Sequence, residues 1–280
     1  MRFRIMAIIC FFTIHIYSPG QIGEFSFVDD SDYLKAFFAE TKQVNQFFRR
    51  FNGEEDVRGV RLSAQDSLFR SMELRKMYIN MLFDEQNKGI SEMLKKAFVN
   101  NMTLPEDPQF LDFHGGDWFA EVFTKFRRGN RDVYVTLLMK LVKENLGSKW
   151  VIDDVRFSPY ENLYRKDEKS TSRFLHPLSH ELDFMNLDKV FDQEEHIGDY
   201  FRQDFVPCKL SVFLYEIRNG TLKFDYVTGV KFHFFQLENW YFELSEFNRP
   251  GLNRGWLISN LLKLEPGQKE QLVNYFYNLD

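Results

Sequence analysis

The spacing of apolar residues along this chain switches from helical to alternating, and then makes the same switch a second time. Between Ser31 and Phe51 the positions Leu34, Phe37, Phe38, Val44, Phe47, Phe48 and Phe51 fall at helical spacing, and Asn52-Gly53 closes the run. A second helix is expected over 64–86, with Ser63 as N-cap and Asp66 in capping-box position, and a third over 90–100 after Gly89. From residue 109 the period becomes two. Strands are expected over 109–113, 117–127, 131–144 and 149–157, with Trp118, Ala120, Val122 and Phe126 alternating with Glu121 and Lys125. Helices are expected again from Ser179 and over 196–205. Strands over 209–218 and 221–227 then flank Asn219-Gly220, a strong hairpin signal. Further strands over 230–237, 240–247 and 255–264 lead to a closing helix over 268–278. Helices followed by an antiparallel meander, twice, predict an α+β fold.

The last strands of the two meanders open alike, at Trp150 and Trp256, which a duplicated architecture would explain. Between the halves, residues 159–174 are polar and aperiodic and read as a linker. The expected division is therefore an α+β domain over 21–158 and a second, strand-rich α+β domain over 175–280. The chain is 280 residues long with 44% hydrophobic residues, enough to bury a large core and too apolar for disorder. Its 32 Phe, 12 Tyr and 4 Trp point to aromatic-rich packing. The net charge of −5 argues against a phosphate-seeking surface, so nucleic acid is not an expected partner.

Residues 1–20 read as a signal peptide. Arg2 and Arg4 precede an apolar run from Ile5 to Ile16, and Ser18-Pro19-Gly20 supplies small residues at a cleavage site before Gln21. Twelve apolar residues fall short of the roughly 20 that a spanning helix needs. Cleavage would leave 34 basic against 41 acidic residues and one cysteine, Cys208, so no intramolecular disulfide. The chain is thus expected to be exported, to a periplasm, cell surface or extracellular space. The lack of disulfides fits a bacterial envelope better than a small eukaryotic secreted module. Asn101-Met102-Thr103 and Asn219-Gly220-Thr221 are formal glycosylation sequons.

Three helices, long hairpin strands and a final strand reading Ser148-Lys149-Trp150-Val151-Ile152-Asp153-Asp154-Val155 resemble the NTF2-like superfamily over residues 31–158. The resemblance implies a cone, with a curved antiparallel sheet wrapped around the N-terminal helices. It also implies a cavity that holds a small ligand and, in the enzymes of the superfamily, an Asp/His pair. The second half follows the pattern only loosely. Tandem domains of this kind resemble envelope components of secretion and conjugation machines.

Asp112 and His114 are two apart on an expected strand, so their side chains would share a face and the carboxylate could orient the imidazole as a general base. The following Gly115-Gly116-Asp117 favours a solvated turn instead. His176 and His180 are four apart, but Pro177 forces His176 into extended backbone before the helix starts, so these histidines and His196 read as no metal site. No cofactor-binding motif occurs. In Phe232-His233-Phe234-Phe235 and Trp240-Tyr241-Phe242 one face fills the core. The other, with His233, Phe235 and Tyr241, would be an aromatic surface unless covered by helices, the other domain or a partner. With Trp118 these residues form the expected ligand- or partner-contacting set. The expectation is a non-catalytic protein that binds a small ligand or an envelope partner. Its rivals are an enzyme built on Asp112 and His114, and a self-associating structural subunit of an envelope assembly.

Overall fold

A computed structural model describes residues 40–41, 43–144, 147–162, 175, 177–182, 184–185, 187–192, 200, 208–251 and 253–277. The described elements run β1 (Glu40–Thr41), α1 (Val44–Asn52), α2 (Met72–Met81), α3 (Glu92–Met102), β2 (Trp118–Arg128), β3 (Arg131–Glu144), β4 (Gly147–Arg156) and α4 (Ser158–Asn162). A 3-10 turn (Pro177–Leu182), α5 (Leu187–Phe191), α6 (Lys209–Arg218), β5 (Leu222–Phe234), β6 (Trp240–Phe247), β7 (Arg254–Lys263) and α7 (Gln268–Tyr277) follow. The fold is α+β, built on one sheet of order β1-β7-β6-β5-β2-β3-β4. Six strands are antiparallel, and the two-residue β1 lies parallel against β7 at Arg254 and Gly255.

Each half of the chain contributes a three-stranded meander, and the first strands of the two meanders pair at the centre. The β2–β5 seam runs from Trp118↔Phe234 to Arg128↔Leu222. Residues on either side of the polar 159–174 stretch therefore share one sheet, and one core holds Phe47, Phe98, Val122 and Leu137 together with Phe213, Phe232, Phe242 and Ile258. The seam is bulged between Phe123 and Thr124 and between Lys125 and Phe126, and β3–β4 and β6–β7 are each bulged once. Bulges bend and twist a sheet. Trp150 on β4 and Phe232 on β5 are three strands apart, about 14 Å in a flat sheet, yet their ring centroids are 6.1 Å apart. The side chains lean toward each other across a sheet that curls on that side.

The curled side receives α1–α3. Phe47 and Phe48 pack on Phe234 at 6.1 and 5.5 Å, and Phe98 meets Trp240 edge-on at 5.1 Å. Several elements differ from the sequence expectation. Within the described residues α1 starts at Val44, and Glu40–Thr41 is strand. The second helix is short because Ser71, not Ser63, caps it, its hydroxyl accepting the Leu74 N–H at 3.3 Å. At its other end the chain joins β7, where the Ile258 N–H donates to the Leu82 carbonyl at 2.8 Å. Residues 109–113 are loop: the Asn52 amide takes the place of a neighbouring strand, bonding Leu111 through both its N–H (2.9 Å) and its carbonyl (2.8 Å).

The largest difference is 209–218, expected as a strand and found as helix α6. Phe213 and Glu216, three apart, turn inward there, and a short apolar run reads equally well at either period. Asn219-Gly220 accordingly ends a helix, with Gly220 at φ 69°, rather than turning a hairpin. The strands expected over 221–227 and 230–237 are one strand, β5, carried through Gly229 with Phe123 packed over its open side. The helix expected over 196–205 lies almost wholly outside the described residues.

Candidate functional site

Of the sequence candidates, Trp118 lies at the centre of an aromatic cluster on the curled side of the sheet. Asp117, at φ 60°, turns the chain into β2, and Trp118 enters the curled side of the sheet opposite Phe234, its ring stacked on that residue at 5.3 Å. Phe48 from α1 and Phe113 from the preceding loop close on it at 5.1 and 5.4 Å. Trp150, from edge strand β4, meets it nearly perpendicularly at 5.3 Å. Phe232 lies between them and carries Trp256 of β7 against it at 4.9 Å. The two tryptophans that open the last strand of each meander thus converge on one aromatic cluster from opposite edges of the sheet.

Trp118 is 4% exposed, whereas Trp150 and Ile152, its neighbour on the same face of β4, are 38% and 41% exposed. The cluster is closed at Trp118 and open at the β4 rim. The Trp118 indole N–H is buried and has no hydrogen-bond partner among the described residues. Trp240, the other fully enclosed indole of this core, donates to Asn101 Oδ1 at 2.8 Å. A buried donor left without an acceptor costs about 1–3 kcal/mol, so Trp118 is the polar group here that would gain most from an added acceptor.

Asp112 and His114 sit at the rim of this cluster, on a turn rather than on a strand, and both are exposed. Asp112 Oδ1 accepts the backbone N–H of His114 at 2.9 Å, and His114 Nδ1 lies 3.0 Å from Ser148 Oγ. The shared-face geometry expected from a strand is therefore absent, and no hydrogen bond joins the two side chains. The turn is held by Gln236, whose amide donates to the carbonyls of Asp112 and Gly116 at 2.7 and 2.8 Å. The arrangement anchors a loop, with the Asp112 carboxylate bonded to the His114 backbone and the His114 ring beside Ser148.

His233, Phe235 and Tyr241 lie on the opposite side of the sheet and are not an exposed surface: each is at most 2% exposed. The C-terminal helix α7 covers them, with Phe276 4.3 Å from the His233 ring and 5.6 Å from Phe119. Beneath it runs a buried polar chain that the sequence reading missed. Arg156 pairs with Glu121, Glu121 Oε2 lies 3.1 Å from His233 Nε2, and His233 Nδ1 lies 2.8 Å from the Tyr241 hydroxyl. A carboxylate only accepts, so Nε2 carries the proton and Nδ1 accepts from the phenol. Burial pushes the His233 pKa down to about 4, aided by Lys231 and Arg156 and opposed by Glu243, so the ring is neutral at pH 7. Glu121 alternates with core residues on β2, a signal of the other face that sequence alone could have flagged; Arg156 carried none.

Cys208 is exposed just before α6, and a hydrogen bond from Ser211 lowers its thiol pKa. His176 and His196 lie outside the described residues. Among the described residues no group of His, Cys, Asp or Glu is placed to hold a metal ion, and no helix is long and apolar enough to cross a membrane. Of the two sequons, Asn219 is exposed at the end of α6, whereas Thr103 is buried with its hydroxyl on the Val99 carbonyl. No family model, curated protein or solved structure matches the chain.

Proposed function

We propose that the chain is an exported, non-catalytic binding protein of NTF2-like architecture, which takes a small ligand against the curled side of its sheet at the Trp118–Trp150 cluster. One observation carries this reading: a buried indole N–H without an acceptor among the described residues, enclosed by rings of which one belongs to the exposed Trp150. Ligand sites pair apolar walls with a few placed polar groups, and this cluster has that composition. A sheet that curls over three N-terminal helices, with Trp150-Val151-Ile152-Asp153 in an edge strand of the first meander, supports the NTF2-like assignment. Arg2, Arg4 and the apolar run to Ile16 support export.

Native mass spectrometry of the full chain, recovered from an exporting host, tests both parts. The expected product begins at Gln21 and carries a reproducible added mass that Trp150→Ala reduces. A product that retains Met1 removes the export reading. An added mass indifferent to Trp150, or none at all, removes the binding site.

A further inference from the structure

We infer that the ligand is a neutral, largely apolar molecule bearing a hydrogen-bond-accepting oxygen, such as an alcohol, ester or ketone, which accepts from the Trp118 indole N–H. The inference deepens the proposed binding function and rests on it. The ring partners of Trp118 (Phe48, Phe113, Trp150, Phe232 and Phe234) bring one polar group, the indole N–H of the exposed Trp150, so the body of a ligand there is met by ring faces and by Ile152 at the rim. The buried polar demand of the cluster, among the described residues, is the Trp118 N–H, which calls for an acceptor.

Charge selects among acceptors. A carboxylate or phosphate brought against buried rings needs a cation beside it to offset desolvation. Of the charged groups near the rim, the cations Lys149 and Lys269 are paired with Glu144 at 2.6 Å and Asp117 at 2.8 Å, and Asp112 is an anion whose Oδ1 accepts the His114 N–H at 2.9 Å. His114 is exposed and bonded to Ser148. A ligand cation would meet the rings but leave the donor without an acceptor. A neutral oxygen satisfies the N–H and brings no uncompensated charge.

Three matched probes separate the possibilities by equilibrium dialysis against the full chain: naphthalene, 2-acetylnaphthalene and 2-naphthoate. The ketone is expected to bind about ten-fold more tightly than naphthalene, the gain of one hydrogen bond to a buried donor, and naphthoate more weakly than the ketone. Trp118→Phe keeps a ring and deletes the donor, so within that variant the ketone should lose its preference over naphthalene, read as the ratio of the two affinities. Should that variant not fold, the assigned Trp118 indole resonance of the unmodified chain reports the same bond. It should move downfield with the ketone beyond any shift that naphthalene causes. Equal binding of ketone and hydrocarbon, tightest binding of naphthoate, or an unchanged preference in Trp118→Phe overturns the neutral-acceptor inference while the binding function stands. If none of the three binds, the binding function fails with it.

Discussion

His233 shows how much one residue's meaning depends on what covers it. Its ring is fully enclosed, facing Glu121 and Arg156 from β2 and β4, Tyr241 and Glu243 from β6, Lys231 on its own strand and Phe276 from α7. With a folded pKa near 4 against an ordinary 6.5, the unfolded chain binds a proton in that interval that the folded chain does not. Stability should therefore fall as pH drops from 6.5 toward 4, by up to roughly 3 kcal/mol from this group. Urea midpoints measured across that range should show the slope, and His233→Gln, which keeps a donor and an acceptor, should flatten it. Glu121→Ala removes the shared acceptor of Arg156 and His233 and should cost about 3 kcal/mol by denaturant unfolding. Gly53 is a second sensitive position. It closes α1 at φ 68°, and a Cβ there would lie 2.7 Å from Arg75 Cγ. Gly53→Ala should destabilise by about 2 kcal/mol, visible as a lowered melting temperature.

Among the elements, α7 has the largest consequence for its length. Leu264, Phe276 and Tyr277 close a second, smaller core over Phe119, Leu138, Phe235 and Tyr241 on the side of the sheet away from α1–α3. Phe276→Ala should loosen the helix and uncover those rings, raising the fluorescence of an added hydrophobic dye while the far-ultraviolet spectrum of the sheet persists. Edge protection is divided among elements as well. The outer edge of β7 is met by β1 at Arg254 and Gly255 and by the chain leaving α2, at Phe83↔Ile258. β5 runs past β6 at its start, and its bulges at the seam with β2 disrupt the flat edge that another strand would need. The element types followed from periodicity where runs were long, as in β2 and β3. They failed over 209–218, where ten residues carry too few turns to separate period two from period 3.6.

At the scale of the whole molecule the seam between β2 and β5 is decisive. Its partners come from the two halves of the chain, so neither meander completes its sheet alone. Residues 1–158 expressed by themselves should present β2 as a long open edge and aggregate, whereas the full chain should unfold in one transition by both tryptophan fluorescence and circular dichroism. The same seam gathers Trp118, Trp150, Phe232 and Trp256 into one cluster, although they are far apart in sequence and come from four strands.

From the sequence alone follow the α+β class, the alternation in β2, β3 and β6, the stop of α1 at Gly53 and the candidacy of Trp118, because each depends on neighbours a few residues away. Asp112 and His114 were legible as a pair, and Gly115-Gly116-Asp117 already favoured a solvated turn there; what holds that loop was not legible, since it is Gln236 of the other half. Which face of the β5–β6 aromatics is covered, and by what, was decided by α7 folding back over them. Glu121 meets Arg156 and His233 only once β2, β4 and β5 are aligned. Periodicity reports which side of an element is apolar, while the partner of that side is set by long-range strand pairing that local spacing does not encode.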